Sequence, residues 1–281
     1  MLIALVATVL AILVAQLVPV AQWRQRLLAW WPRWLGISAG QSAWGWLAGL
    51  LVPLLALGVV QWLTRDLLWG SVAVVLGVVV LVLCWGPRDL ERDVEALVYA
   101  DDPVSHERAR QALYEDGVEL DDGPVSLTRA VAVALLRRAL GVLFWFLVLG
   151  PVGALGYRLL ASQAARGAPL SLAARERLQG VLAVLEWPVA QLAVLSFALM
   201  GNLVPVHQAW KAQGRWQALG VEPLLGATME AALPPVQVPE PGEVPVWERQ
   251  PALHQAMRLS WRTVGLWCAL MLFWALAGWL G

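Results

Sequence analysis

The sequence predicts an all-α fold, a polytopic integral membrane helical bundle of five or six transmembrane helices with short cytoplasmic amphipathic helices. Two observations predict it. Of the 281 residues, 59% are hydrophobic and only 14% are charged, whereas about a quarter of the residues in water-soluble proteins are charged. Six segments also contain no Asp, Glu, Lys or Arg, and each is close to or above the roughly 18 residues that a membrane-crossing helix needs. An ordinary cytosolic enzyme is therefore excluded.

The predicted spans follow these apolar segments. Their approximate ranges are 2–20, 43–63, 68–85, 140–160, 180–204 and 262–280. The first is predicted to be a retained helix and not a cleaved signal peptide, because Arg24 and Arg26 follow the apolar stretch instead of preceding it. If this segment lies in the membrane interface instead of crossing, five spans remain and the N-terminus changes sides.

The basic residues predict the orientation of the chain. With six spans, 15 of the 20 Lys and Arg residues fall on one side of the membrane, and the side richer in these residues is normally cytoplasmic. Both termini are then outside. The resulting domains are N-terminal transmembrane helices at 1–85 with a Trp/Arg-rich loop at 21–42, a cytoplasmic helical segment at 86–138, a central transmembrane helix pair at 139–204, a cytoplasmic Pro-rich loop at 205–261 and a C-terminal transmembrane helix at 262–281.

The hydrophilic segment that follows the third span is predicted to form two short helices. One apolar stripe at helical spacing marks the first helix; its members are Leu90, Val94, Leu97 and Val98. Asp102 before Pro103 is a start signal for the second, an N-cap followed by proline at the first helical position. Ser126 is predicted to cap a longer helix that continues through Arg137 and Arg138 into the membrane.

Several classes of function are excluded by composition and motifs. The formal net charge is zero and Lys211 is the single lysine, so no basic face for nucleic acid is expected. Nucleotide-binding, hydrolase and zinc-peptidase motifs are missing from the sequence. The three histidines stand far apart without neighbouring carboxylates at ligand spacing, so we expect no metal and no cofactor. The 18 tryptophans mostly lie near span ends, as is typical of membrane-interface anchors.

Glu186 is the one acidic residue inside a predicted span. A carboxylate at that depth is costly unless it is paired, protonated or in a wet cavity, which makes it a candidate functional group. Arg158, beside Tyr157 at the end of the preceding predicted helix, is expected at a similar depth. A structural ion pair with Arg158 and a functional acid, with Tyr157 as a further site residue, remain open interpretations.

A second candidate site lies at the cytoplasmic helix ends. Arg88 and Asp89 end one predicted span, and Asn202 and His207 end another. These four side chains form a candidate polar cluster if the ends are adjacent. A solvated helix end, with Asn202 as its cap, is the alternative interpretation.

One stretch of the sequence carries Phe144-Trp145-Phe146, Gly150-Pro151 and Tyr157-Arg158; further distinctive stretches are 86–96, 185–188, 196–202 and 276–280. In their order and spacing these stretches resemble the AmpE family of bacterial inner-membrane proteins, a family related to the CobD/CbiB-type cobinamide-phosphate synthases, and the first stretch is the most specific. The resemblance implies a multi-pass protein of the bacterial inner (cytoplasmic) membrane, linked to β-lactamase induction and the sensing of cell-wall recycling. It also implies a pathway partner that resembles the AmpD amidase.

The same resemblance argues against synthase chemistry. The synthase relatives carry polar sets before the middle helices and after the Tyr-Arg pair, and neither set is present at 129–134 or 160–163. We therefore expect a non-catalytic regulatory or signalling modulator. The alternatives are a membrane enzyme or binder of a lipid-linked or nucleotide-linked small molecule, and a small transporter. Expected partners are the lipid bilayer, another membrane or cytoplasmic signalling protein, a cell-wall-derived or lipid-linked ligand, or a second copy of the chain.

Overall fold

The computed structural model describes residues 10–11, 45–64, 71–84, 86–100, 102–114, 124–164, 172–217, 220–234 and 251–280. Every regular element in these ranges is helical, which confirms the predicted all-α class there. The α-helices are α1 (Gly45–Thr64), α2 (Ser71–Cys84), α3 (Pro87–Val98), α4 (Pro103–Tyr114), α5 (Pro124–Leu135), α6 (Gly141–Leu149), α7 (Pro151–Ala164), α8 (Leu172–Met200), α9 (Leu203–Ala212), α10 (Val221–Ala232) and α11 (Pro251–Leu280). A π-helical turn, Leu136–Leu140, joins α5 to α6, and a 3₁₀ turn, Arg215–Gln217, follows α9.

Two helical segments are long and apolar enough to cross a membrane, Leu127–Leu149 and Ala174–Met200. Shorter apolar helices cover Gly49–Leu63 and Val74–Cys84. The predicted number of five or six spans stays a prediction. Apart from residues 10–11, the predicted first span and the loop at 21–42 lie outside the described residues, as do residues 235–250 of the proline-rich segment.

The contacts divide the chain into two compact units. Unit 1 consists of Met1–Gly86, Gly141–Leu182 and Cys268–Gly281. In it, α7 packs against α1, α2 and α6. One side of α1 is apolar and exposed from Leu51 to Leu63; it carries Leu51, Leu55, Val59 and Leu63. Water-soluble proteins rarely expose a continuous apolar stripe of this kind, so this face is suited to contact with lipid.

The predicted single span at 140–160 is wrong, because the chain turns back in its middle. Gly150 has φ of +70°, in the left-handed region that favours glycine at a helix end, and Pro151 then starts α7. A Cβ atom on Gly153 would lie 2.3 Å from the Trp145 carbonyl oxygen, so the two helices pack closely beside the turn. Helices α6 and α7 form a hairpin. The predicted orientation, with both termini outside, assumed a single crossing at 140–160 and is therefore no longer supported.

Unit 2 consists of Pro87–Leu140 and Ala183–Trp267. Helices α3 and α4 pack on each other and on α5, while α10 packs on α5 and α9. The predicted apolar stripe of α3 is confirmed, since all four of its residues are buried. Asp102 caps α4 as predicted, because its Oδ2 atom accepts hydrogen bonds from the backbone N–H groups of Val104 and Ser105 at 3.1 and 3.0 Å.

Two local predictions in this unit require correction. Ser126 lies inside α5, which begins two residues earlier at Pro124, so Ser126 is not its N-cap. The segment predicted as a loop at 205–261 contains most of α9 and all of α10. These two helices precede the proline-rich stretch at 234–251, whose composition suggested a loop.

Candidate functional site: a buried arginine network

Two neighbouring arginines lie in the π-helical turn. All five residues of Leu136–Leu140 are buried, including Arg137 and Arg138 at 6% and 7% exposure. A π turn widens the helix by one residue and occurs often at functional sites. Successive side chains on a helix point about 100° apart, so the two guanidinium groups reach different neighbours.

Arg137 is held by two glutamates from two other helices. Its Nε atom donates to Glu186 Oε1 at 2.6 Å, and its Nη2 atom donates to Glu186 Oε2 at 3.2 Å. The same Nη2 atom lies 3.5 Å from Oε1 of Glu222 in α10. Glu186 is 1% exposed, whereas the Glu222 side chain is about one-third exposed. The Arg137–Glu186 contact is thus a buried ion pair with two parallel hydrogen bonds, the strongest geometry for these groups.

Arg138 joins α3 and α4 to the same turn. Its Nη1 atom donates to the Asp93 carboxylate of α3. Its Nη2 atom donates to the backbone carbonyl oxygen of Ala112 in α4 at 3.1 Å. A guanidinium group carries five donors in a fixed plane, and a lysine amine could not hold two partners in this arrangement. The two arginines therefore connect the π turn to α3, α4, α8 and α10.

The charged groups of this network are paired with one another. Removing an ion from water costs several kcal/mol, which a buried pair recovers only with good geometry and further hydrogen bonds. Here the arginines meet the carboxylates of Glu186, Glu222 and Asp93. No group of three or more potential metal ligands is found in the described part of the chain.

Close glycine contacts fix the helix on both sides of the π turn. Before the turn, a Cβ atom on Gly226 of α10 would lie 2.7 Å from Cγ of Arg129 in α5. After the turn, a Cβ atom on Gly141 would lie 2.3 Å from the ring of Tyr157. Neither glycine position has room for a side chain without a shift of its neighbour.

A second polar cluster in unit 2 surrounds Gln191 of α8. Its Oε1 atom accepts from the Trp210 indole at 2.9 Å, and its Nε2 atom donates to the Arg215 carbonyl oxygen at 3.3 Å. The Trp216 ring lies between two other indoles, at 5.1 Å from Trp210 and 6.4 Å from Trp187 between ring centroids. Gln191 thus fixes the end of α9 and the 3₁₀ turn against α8.

A family model described as "Regulatory signalling modulator protein AmpE" matches residues 44–216, more than half of the chain. The chain belongs to the AmpE family. Searches of curated proteins and of solved structures each return no match. The family match supports a regulatory signalling function in general terms. Together with the two apolar helices long enough to span a bilayer, it indicates a membrane protein. The matched range includes every residue of the arginine network except Glu222.

The predicted partner of Glu186 in this AmpE-family chain is corrected by the structure. Glu186 pairs with Arg137, whereas the Nε atom of Arg158 is buried and has no hydrogen-bond partner among the described residues. Tyr157 is buried with its ring against Gly141, where it fixes the α6–α7 hairpin. Glu186 belongs to unit 2, and Tyr157 and Arg158 belong to unit 1.

Two of the four residues of the predicted cytoplasmic cluster, Asn202 and His207, have described side chains, and both are exposed. Asn202 is exposed at the N-cap position of α9, and its side chain makes no capping hydrogen bond there. His207 is also exposed, with its ring centroid 6.2 Å from that of Trp210. Arg88 and Asp89 lie in the first turn of α3, and their side chains are outside the described part of the structure.

Arg137, Arg138, Asp93 and Glu222 were not predicted as site residues of this AmpE-family protein. The adjacent arginines stand directly before the apolar segment 139–157, a position typical of basic residues that flank a span on its cytoplasmic side. Two further signals in the sequence were available. The arginines lie within a helical pattern that is apolar on every side, and such helices are normally buried; a cationic partner was also one of the ways to stabilise Glu186 in a span.

Proposed function

We propose that this AmpE-family protein is a multi-pass protein of the bacterial inner membrane that modulates signalling in β-lactamase induction, within the pathway that senses cell-wall recycling. It acts without catalysis and without a cofactor. Its partners are the lipid bilayer and another membrane or cytoplasmic signalling protein, such as an amidase that resembles AmpD. The match to the regulatory family over residues 44–216 is the observation that carries this proposal.

The arginine network supports the non-catalytic part of the proposal. A general acid or base must be able to reach a reacting group. Glu186 instead accepts hydrogen bonds from Arg137 on both carboxylate oxygens, and Arg138 donates to Asp93 and to the Ala112 carbonyl oxygen. A network of this kind stabilises one arrangement of the helices. Such a defined arrangement is suited to a protein whose conformation is recognised by a signalling partner.

Deleting the gene tests the proposal most simply. We expect β-lactamase induction by a cell-wall-damaging β-lactam to change in the deletion strain and to return with the wild-type gene. The Glu186→Gln variant should restore it poorly, whereas Glu230→Gln, on the exposed side of α10, should restore it fully. Induction that is the same with and without the gene would contradict the proposal.

A second candidate function is the binding of a lipid-linked or nucleotide-linked small molecule, which is the role that a distant similarity to the CobD/CbiB-type synthases would suggest. One observation favours it: the Nε atom of Arg129 is buried and has no hydrogen-bond partner among the described residues. Guanidinium groups recognise phosphate well. Saturable binding of a nucleotide or a polyprenyl phosphate to the purified protein, lost in Arg129→Gln, would favour this candidate over the regulator.

A further inference from the structure

The second half of α8, Trp187–Met200, lies beside exposed cations of unit 2. Gln191 accepts a hydrogen bond on Oε1 from the Trp210 indole at 2.9 Å, and its Nε2 atom donates to the Arg215 carbonyl oxygen at 3.3 Å. Lys211 directly follows Trp210, and the side chains of Lys211 and Arg215 are both exposed. Two positively charged groups are therefore held close to the middle of the apolar segment that includes most of α8.

A third cation comes close to the same half of α8 from α11. The Trp267 indole donates a hydrogen bond to Ser196 Oγ at 2.9 Å. Arg262 is exposed and stands five positions before Trp267 in α11, which is about 8 Å along a helix. Exposed basic residues are thus brought to the second half of α8 by two other helices, α9 and α11, and by the 3₁₀ turn.

These cations argue against lipid around the second half of α8. The apolar segment Ala174–Met200 has 27 residues, and Trp187 is its middle residue. If this whole segment crossed the membrane, Trp187 would lie near the centre of the bilayer, with each headgroup layer about 15 Å away. Lysine and arginine side chains reach the headgroups only from near the ends of a span. Exposed cations beside Trp187 and Gln191 would then face hydrocarbon, which is costly.

Burial by protein accounts for the apolar composition of this half of α8. Five of its apolar side chains are at most 1% exposed; they are Val189, Ala190, Ala193, Val194 and Phe197. In α1, by contrast, no residue from Leu51 to Leu63 is buried. A helix without charges is suited either to lipid or to the core of a protein. The exposed α1 fits the first case, and the second half of α8 fits the second.

The exposed leucines on the second half of α8 are compatible with water. Leu192 and Leu195 are each more than half covered by protein, and Leu199 is the most open of the three at 66% exposure. Exposed leucines are normal on water-soluble proteins, because polar residues alone cannot cover the surface. An exposed cation in hydrocarbon is far less favourable than an exposed leucine in water.

We propose that the second half of α8 lies outside the hydrocarbon of the membrane and serves as a core helix of unit 2 in water. The sequence prediction of a span at 180–204 attributed the apolar composition of this region to lipid contact. The inference rests on the membrane location in the proposed function. It also gives that function a helical unit whose surface a water-soluble signalling partner can reach.

Collision rates of a nitroxide spin label test this inference on the full chain in bilayer nanodiscs. The label is attached to the cysteine of Leu195→Cys or Leu199→Cys on α8. Leu55→Cys on α1 is the matched lipid control, because Leu55 is 64% exposed, and Gln111→Cys at an exposed site on α4 is the water control. Both free cysteines are replaced by alanine. Oxygen concentrates in hydrocarbon, whereas a neutral nickel chelate stays in water, so the ratio of their collision rates identifies the surroundings of the label.

We expect the ratio of nickel to oxygen collisions at positions 195 and 199 to be several-fold higher than at position 55 and close to the ratio at position 111. Ratios at 195 and 199 as low as the one at 55 would overturn the inference, because lipid would then surround this half of α8. Low rates with both reagents at 195 and 199 would also overturn it, because protein and not water would then cover these positions.

The control on α1 separates this inference from the proposed function. Low ratios at 55, 195 and 199 together would contradict the inference and leave the membrane location intact. A ratio at 55 as high as the one at 111 would contradict the membrane location, and the inference that rests on it would fall with it. A low ratio at 55 with high ratios at 195 and 199 is the one result that supports both.

Discussion

Arg137 and Glu186 are 49 positions apart in the chain, and their side chains meet through a buried two-point ion pair with a 2.6 Å contact between Nε and Oε1. Each residue lies in one of the two helical segments that are long and apolar enough to cross a membrane. Neither charge would be stable in such a helix alone, because a buried unpaired ion is strongly destabilising. The pair therefore couples the stability of one helix to the position of the other.

The two glutamates around Arg137 should contribute very unequally to stability. Glu186→Gln leaves a buried guanidinium with only a partly exposed partner, and we expect the free energy of unfolding to fall by about 3 kcal/mol. Glu222→Gln removes a 3.5 Å contact at a partly solvated side chain, so its effect should be below about 1 kcal/mol. Unfolding of the purified protein in mixed micelles with increasing SDS measures both, with Glu230→Gln as the exposed control. Equal losses for the two variants would contradict this ranking.

Arg138 should be irreplaceable by lysine. Arg138→Lys keeps the charge for Asp93 but cannot also donate to the Ala112 carbonyl oxygen, so α4 should lose about 1–2 kcal/mol of local stability. Hydrogen exchange of the α4 amides detects this loss as faster exchange. Arg92→Lys, the same change at an exposed site on α3, should leave exchange unaltered. Unchanged α4 protection in Arg138→Lys would show that the second hydrogen bond has no structural role.

The α6–α7 hairpin should not accept a side chain at Gly141. A Cβ atom there would meet the Tyr157 ring at 2.3 Å, and overpacking of this kind costs about 1–3 kcal/mol. Gly265→Ala is the matched control, because a Cβ atom on that α11 glycine has no neighbour within 4 Å; it should stabilise the helix by about 0.5–1 kcal/mol. Thermal unfolding of both variants gives the comparison, and Tyr157→Ala should relieve the strain of Gly141→Ala. A Gly141→Ala protein as stable as wild type would contradict the close packing.

The cap of α4 should make that helix sensitive to acid. Hydrogen bonds from Ser105, first from its side chain and then from its backbone N–H, hold the pKa of Asp102 below its ordinary value of 3.8. A carboxylate with a lowered pKa in the folded state stabilises the protein above its unfolded pKa. That contribution is lost as the pH falls below 3.8 and through the lower folded pKa.

A comparison of Asp102→Asn with the wild type isolates this effect. Asparagine also caps helices but does not titrate, so the helix content of the variant should change less from about pH 6 to about pH 3. Far-ultraviolet circular dichroism of the two proteins over this range measures the difference. Parallel acid titrations would show that Asp102 does not contribute to the pH dependence.

The sequence predicted the parts of this fold that depend on local pattern. The buried stripe beginning at Leu90, the cap at Asp102 and the apolar helices near 43–63 and 68–85 all follow from periodicity, composition or capping chemistry. The hairpin at Gly150-Pro151 was present in the sequence as a turn signal, but the continuous apolar composition around it favoured a single span. Composition alone does not distinguish a helix that crosses from two helices that turn back.

The partner of Glu186 could not be predicted from the sequence, because the pairing depends on tertiary structure. The carboxylate could be recognised as needing a cation because it stood alone in an apolar segment. Arg158 was nearest along the predicted topology, whereas in the structure Arg137, from the π turn, pairs with Glu186. A π turn has no strong sequence signature, and the close contacts at Gly141 and Gly226 that accompany it are made by residues distant in the chain.

A double-mutant cycle on Arg137 and Glu186 tests most directly whether this buried pair organises the site. Arg137→Met and Glu186→Met are made singly and together, and the free energy of unfolding is measured in mixed micelles. Each single variant should lose about 3–5 kcal/mol, and the double variant should lose much less than the sum, because no unpaired buried charge remains from this pair. The account predicts a coupling energy of at least about 2 kcal/mol, and losses that add within about 0.5 kcal/mol would contradict it.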